Sequence, residues 1–215
     1  MTRILIADDH TLVREGLKQI LATVTDLVVT GEAIDGDQAL ARVREAQYDV
    51  VLLDMSMPGL SGIDLIKRLK LESPKLKILV LSMHGEQQYA VRAYKAGASG
   101  YLTKDTASAQ LVAAIRKLAA GGVYISAAGA EQLAIGAMGH DSDLPHRALS
   151  DREFEVFRLV VAGTSMTDIA ESLHLSVKTV STHKTRILQK MNMGSTAELV
   201  RYAMENHLLG GPAAP

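Results

Sequence analysis

The chain has 215 residues, 47% of them apolar and 22% charged, with 23 basic residues against 24 acidic ones and no cysteine. Such a length fits one or two domains, and such a composition is globular rather than disordered. A net charge of −1 excludes a global basic excess for nucleic acid, and the lack of cysteine excludes disulfide scaffolds, thiolate metal sites and cysteine nucleophiles while fitting a reducing compartment. No apolar run approaches the roughly 18 residues of a membrane span. Met1-Thr2-Arg3-Ile4 has no signal-peptide layout. A soluble, cytoplasmic protein with no membrane partner is expected.

Short apolar runs come first. They are Ile4-Leu5-Ile6-Ala7, Val28-Val29-Thr30, Val50-Val51-Leu52-Leu53, Ile78-Leu79-Val80-Leu81 and Gly100-Tyr101-Leu102. Runs this short and apolar on both faces predict strands of a buried parallel sheet. Helical patterns lie between them: Val13, Leu17, Ile20 and Leu21 mark one face, and Leu111, Val112, Ile115 and Leu118 another. Five such alternations predict an α/β domain, a parallel five-stranded sheet covered on both sides, over residues 1–122.

Residues 123–147 read as a linker, with a possible short helix near Gly129 to Ala137 and a polar stretch from Gly139 to Arg147. From Leu149 the pattern is helical only, so residues 148–210 predict a small all-α domain and 211–215 a tail. Ser150-Asp151-Arg152-Glu153 is a capping box for a helix carrying Phe154, Phe157, Val160 and Val161, with Gly163 placed to end it. Thr164 or Ser165 caps a second helix holding Ile169, Ala170 and Leu173. After the turn His174-Leu175-Ser176, a third helix turns Val177, Val180, Ile187, Leu188 and Met191 inward. A fourth spans about Ser195 to Asn206.

The polar residues of the first domain are not scattered. Asp8 and Asp9 follow the first strand, Asp54 ends the third, Ser82 ends the fourth and Lys104 follows the fifth. In a parallel sheet all strand C-termini share one edge, so these side chains converge. In the flavodoxin-like order 2-1-3-4-5 the reversal of strand order falls between the strands that carry the three aspartates. Packed carboxylates raise one another's pKa, and a bound cation is the usual remedy. A hard, oxygen-only set suits Mg²⁺, and Lys104 adds a fixed positive charge opposite. That combination is built for phosphoryl transfer, with Asp54 as nucleophile. There is no G-x-x-x-x-G-K-[ST] loop, no G-x-G-x-x-G after the first strand and no H-E-x-x-H. The start Asp8-Asp9-His10 also lacks the D-x-D of the best-known phosphatases that use an aspartyl intermediate.

Asp8-Asp9, Asp54 followed by Met57-Pro58, Ser82 and Tyr101-Leu102-Thr103-Lys104 resemble the receiver domain of two-component response regulators, over about residues 2 to 121. The resemblance implies a (βα)5 flavodoxin-like receiver with Asp54 as phosphoacceptor. It implies Mg²⁺ held by Asp9, Asp54 and the Ser56 backbone carbonyl, with Asp8 assisting through water. Lys104 would pair with the phosphoryl group, Ser82 would be the switch hydroxyl and Tyr101 the switch aromatic. A sensor histidine kinase would be the donor.

Leu149-Ser150-Asp151-Arg152-Glu153, Ile169-Ala170, Leu175 to Val180, His183 and Ile187 to Met191 resemble the LuxR-type helix-turn-helix of the NarL/FixJ class. His174 departs from the Gly common there, at some conformational cost. Residues 149–215 hold seven basic and seven acidic residues, yet residues 176–191 contain Lys178, Lys184, Arg186 and Lys190 and no acid. The third helix is thus the expected recognition helix. Lys178, Ser181, Thr182, Thr185 and Gln189 form its outward stripe, suited to the major groove. Lys184, Arg186 and Lys190 suit phosphates, Lys178 and Thr179 either backbone or base, and His183 completes the set. Four phosphate contacts would give log affinity a salt slope of about −3.6 on B-DNA. Leu199, Val200, Ala203 and Met204 offer a stripe that the resemblance assigns in part to pairing of two copies.

The expected whole is a regulator, not an enzyme. Phosphorylation biases homodimerisation or frees the helical domain, and affinity for double-stranded promoter DNA rises. The sequence leaves three other readings open: a DNA-binding regulator independent of phosphorylation, a phospho-controlled protein-binding adaptor, and an acyl-phosphate hydrolase.

Overall fold

The computed structural model describes residues 1–57, 59–82, 87–125, 130, 144–173, 175–206 and 208. Pro58, His174, residues 139–143 of the linker and, Ala130 apart, the possible helix at 129–137 lie outside them. The chain divides into two compact units, Met1–Leu133 and Ala134–Pro215.

In the first unit, five strands alternate with five helices. They are β1 (Thr2–Ala7), α1 (Thr11–Ala22), β2 (Leu27–Ala33), α2 (Gly36–Glu45), β3 (Val50–Asp54), α3 (Gly62–Glu72), β4 (Lys77–Ser82), α4 (Gln87–Ala96), β5 (Gly100–Thr103) and α5 (Ser108–Ala119). The strands form one sheet in the order β2-β1-β3-β4-β5, every pairing parallel. This is the expected doubly wound fold. Every residue of β3 is buried, which is why its sequence is apolar without alternation up to Asp54.

Alternation across the pleat divides the core. Ile4, Ile6, Val50, Leu52, Leu79 and Leu81 pack with Leu17 and Leu21 of α1 and with Leu111, Ile115 and Leu118 of α5. Their neighbours Leu5, Val51, Leu53, Ile78 and Val80 point to the opposite face and are likewise buried. On that side α2 packs on α3 and α3 on α4. Parallel register brings the ends of β1, β3, β4 and β5 to one edge, with Ala7 opposite Leu53, Asp54 opposite Leu81 and Ser82 opposite Thr103.

The second unit is helical: a 3-10 turn (Pro145–Ala148), α6 (Asp151–Val161), α7 (Met166–Ser172), α8 (Val177–Met191) and α9 (Thr196–Glu205). Each helix has a serine N-cap, Ser150, Ser165, Ser176 or Ser195, whose side chain accepts from the amide three residues on. The capping box of Ser150 and Glu153 is complete. α6 stops before Gly163, whose φ is +83°, and α8 ends on Asn192 in the left-handed region. Phe154, Phe157, Ile169, Val180, Ile187, Leu199 and Ala203 form the core. Among the described residues, no helix is long and apolar enough to cross a membrane.

Candidate functional site

The sheet edge gathers the polar residues as expected. Asp8, Asp54 and Ser82 are buried, at 1%, 2% and 3% exposure. Lys104 Nζ lies 2.8 Å from Asp8 Oδ2 and 3.0 Å from Asp54 Oδ2, so one ammonium bridges two buried carboxylates. Asp9 sits at the rim, its side chain 30% exposed. Asp54 Oδ1 accepts from the Ser56 amide at 3.3 Å. The Ser82 carbonyl accepts from the Lys104 amide at 2.8 Å, which ties the end of β4 to the start of the lysine loop. Tyr101 is wholly buried in β5.

Electrostatics follow from this packing. Burial pushes the Asp54 carboxyl above the ordinary aspartate range and Asp8 adds to the shift, while Lys104 works against both. Burial also disfavours the Lys104 charge, yet its bonds to Asp8 and Asp54 prevail and its pKa is raised. Asp8, Asp9, His10 and Asp54 offer ligand atoms all within 4.8 Å of one another. This hard, mostly carboxylate donor set fits a divalent cation such as Mg²⁺.

Two contributors were not singled out from the sequence. His10 Nδ1 lies 2.9 Å from Asp9 Oδ1 and 3.3 Å from Asp8 Oδ1, and the His10 amide donates to Asp8 Oδ1 at 2.8 Å. Arg14 is buried in α1, and its Nη1 donates to the Asp8 carbonyl at 2.8 Å while its Nε reaches Glu32 at 3.2 Å. Arg14 therefore fixes the Asp8–Asp9 turn from behind. A signal was present: Arg14 shares the helical phase of Leu17 and Leu21, an inward position where a charge requires partners.

On α8 the exposed row is Lys178, Ser181, Thr182, Thr185 and Gln189, as expected, with Arg186 exposed beside it. The Thr182 and Thr185 hydroxyls donate to the carbonyls of Lys178 and Ser181 at 2.9 and 3.0 Å, which leaves their oxygens able to accept. Thr179 is bound to the Ser176 cap at 2.8 Å. Lys184 and His183 are half-buried. Burial, with Arg152 and Arg186 nearby, lowers the His183 pKa.

One expectation about α8 changes. Val177 does not face inward: it is 45% exposed, because the first turn of α8 projects beyond the core that Val180 enters. Lys190 is exposed, its side chain at 42%, and its Nζ also lies 2.6 Å from the buried Glu153 carboxylate. Burial would raise the Glu153 pKa, but Lys190 and Ser150 hold it down to about 2, against 4.5 for a free glutamate.

That depression makes a prediction. A carboxyl with a lowered folded-state pKa stabilises the fold above its unfolded pKa, and the benefit fades as pH falls toward the folded value. The second unit is expected to lose up to about 3 kcal/mol between pH 5 and pH 2 from Glu153 alone. Urea unfolding followed through α8 amide signals checks this. The Glu153→Gln chain, less stable at pH 7, shows a correspondingly flatter profile over that interval.

The comparisons agree with this geometry. Residues 4–116 match the family model of the response regulator receiver domain, and residues 147–203 match bacterial regulatory proteins of the luxR family. The chain is 37% identical to the response regulator GacA of Pseudomonas protegens over 209 residues, covering 97% of this chain and 98% of that protein. It is 39% identical over 214 residues to the oxygen regulatory protein NreC of Staphylococcus carnosus, covering 96% and 99%. Among solved structures, RcsB from Salmonella enterica serovar Typhimurium, bound to promoter P1flhDC in the presence of the phosphomimetic BeF3⁻, is 29% identical with a TM-score of 0.66 over 95% of this chain and 98% of that one. An acidic pocket crossed by one lysine, ahead of a four-helix unit with a cationic third helix, thus meets its relatives along nearly the whole length, and the chain belongs to the two-component response regulators of the NarL/FixJ class, transcription regulators that join a receiver to a LuxR-type helix-turn-helix.

Proposed function

We propose that Asp54 is the phosphoacceptor through which a sensor histidine kinase controls DNA binding by α8. The observation that carries this reading is the Lys104 bridge between Asp8 and Asp54, which places a fixed cation against the one carboxylate standing at the end of the central strand β3. In the transfer, an Asp54 oxygen attacks the phosphorus of a phosphohistidine. A P–O bond forms, the P–N bond breaks, and the imidazole leaves with the electron pair and takes up a proton. Asp9, Asp54 and the Ser56 carbonyl would hold Mg²⁺, with Asp8 assisting through water, and the ion would neutralise charge on the phosphoryl group. Lys104 moves from carboxylate to phosphoryl oxygen. Ser82 donates a hydroxyl to the new group, and Tyr101 repacks with β5.

In the second unit, Lys178, Lys184 and Arg186 meet phosphates, and Thr179, Ser181, Thr182 and Thr185 face the bases of a duplex promoter, with His183 behind them. The RcsB structure with promoter DNA supports the duplex as ligand. Met204, 61% exposed on α9, supports pairing of two copies. The working limits are residues 1–122 for the receiver, 123–147 for the linker, 148–210 for the helix-turn-helix domain and 211–215 for the tail. Such a protein acts in the cytoplasm, where promoters are.

Two measurements test the reading. Duplex DNA binding at fixed protein concentration is expected to tighten when Mg²⁺ and acetyl phosphate are added together. Equal affinity with and without the donor would leave a DNA-binding protein with no phosphoryl input. Mg²⁺ alone is expected to stabilise the receiver by about 2.7 kcal/mol at a hundredfold excess over its Kd, read as a higher melting temperature. Asp9→Asn is expected to need more Mg²⁺ for the same shift.

A further inference from the structure

The chain leaves the receiver by a constructed route. At the end of α5 the Gly121 and Gly122 amides donate to the Leu118 and Lys117 carbonyls at 2.8 and 3.0 Å, and Gly121 turns the chain back at a φ of +90°. The segment then reaches the free edge of β5. There the Tyr124 amide donates to the Ser99 carbonyl at 2.9 Å, and Tyr124 forms a parallel bridge with Gly100. The close approach needs a glycine, since a Cβ on residue 100 would stand 3.2 Å from the Cβ of Tyr124 and 2.8 Å from Leu79.

Two helices close over this bridge. From α4, the Tyr94 hydroxyl donates to the Tyr124 carbonyl at 2.9 Å. From α5, Gln110 donates to the Tyr124 hydroxyl at 2.8 Å, and the Lys117 ammonium stands 5.8 Å from the centre of the Tyr124 ring. The amide, carbonyl and hydroxyl of Tyr124 are therefore held by Ser99 at the entry to β5, by α4 and by α5 respectively. All three elements adjoin the acidic pocket in the chain. β5 runs directly into Lys104, α5 follows Lys104, and α4 is the first helix after Ser82.

We propose that Tyr124 is a latch through which phosphorylation of Asp54 acts on the chain leading to the second unit. This rests on the reading of Asp54 above. A phosphoryl group that draws Lys104 and Ser82 toward itself pulls on β5 and on the start of the α4 segment. Either displacement weakens the grip of Ser99 or of Tyr94 on Tyr124, and segment 122–125 leaves the sheet edge. The latch thus turns a local change of charge into freedom of the linker at its root, a coupling between two sites carried by one discrete contact.

The test uses the full chain with Mg²⁺ and acetyl phosphate, reading the phosphoryl group by intact mass and the Tyr124 amide by hydrogen exchange. Exchange of that amide is expected to quicken about fivefold or more on phosphorylation, the factor that the loss of one net hydrogen bond gives. It is expected to stay unchanged in Asp54→Asn. Tyr94→Phe removes the hydroxyl while keeping the ring. It is expected to quicken the same exchange without donor, and to narrow the gain in duplex affinity on phosphorylation by a similar factor. A singly phosphorylated protein with Tyr124 still protected overturns the latch, as does a Tyr94→Phe chain that keeps the full gain. In either case the segment only staples the end of α5. A wild-type chain that takes up no phosphoryl group removes the latch together with the reading beneath it, so the mass measurement tells the two failures apart.

Discussion

Asp54→Asn is expected to take up no phosphoryl group from acetyl phosphate in Mg²⁺, where the wild-type chain gains one, and to lose the accompanying rise in DNA affinity. An amide oxygen bears no full negative charge and is a poor nucleophile, so the P–O bond does not form. The variant is expected to fold. Asn matches Asp in shape, and the substitution removes a charge that burial and Asp8 both disfavour. Lys104 keeps Asp8 as its partner at 2.8 Å. Melting at or above the wild-type temperature would therefore assign the loss to chemistry rather than to unfolding. Lys104→Met gives the contrasting result. It leaves Asp8 and Asp54 facing each other without a cation, and breaking a buried pair from one side costs about 3–5 kcal/mol. Mg²⁺ is expected to restore part of that stability, because it supplies the missing charge at the same carboxylates. If Asp54→Asn were still singly phosphorylated, another carboxylate, Asp9 at the rim first, would be the acceptor.

How far the sequence could be read depended on the kind of interaction. β3 was legible because burial on both faces removes alternation, and Val50 to Leu53 have no polar residue to place. The pocket was legible because parallel strands put their ends on one edge. Asp8, Asp54, Ser82 and Lys104 needed only to be assigned to strand ends. The cap residues were legible for a related reason, since an N-cap bond spans three residues and is local. Lys190 was not. Helical phase sets where its stem begins, but four methylenes let the ammonium fold back to Glu153, 37 residues away. Tyr124 was equally hidden. Its partners lie on α4, β5 and α5, and nothing in the local pattern Gly121-Gly122-Val123-Tyr124 names them.

The Lys190–Glu153 contact changes what DNA binding should look like. Counting all four cations of α8 gives a salt slope near −3.6, whereas a Lys190 held back by Glu153 would leave three per copy and a slope of about −2.7. On the latter slope one copy loses about fortyfold in affinity between 50 and 200 mM salt, and two paired copies lose about the square of that. Arg186→Ala or Lys178→Ala is expected to lower the slope by about 0.9 per copy and to weaken binding alike on every sequence. Thr182→Ala or Ser181→Ala, on the row proposed to face the bases, should leave the slope intact. Each should instead narrow the preference between sequences, by about 1–3 kcal/mol where the lost contact was to a base. Lys190→Ala separates the two accounts. If Lys190 is held by Glu153, its removal leaves the salt slope alone and lowers the stability of the second unit, because a buried carboxylate loses its cation. A slope reduced as much as by Arg186→Ala, with stability unchanged, would mean that Lys190 swings out to a phosphate when DNA arrives. Glu153→Gln should then raise the affinity by setting Lys190 free, provided that folding is held constant at low temperature. If Lys190 makes no phosphate contact even when released, the same substitution acts on stability alone and leaves the DNA isotherm where it was.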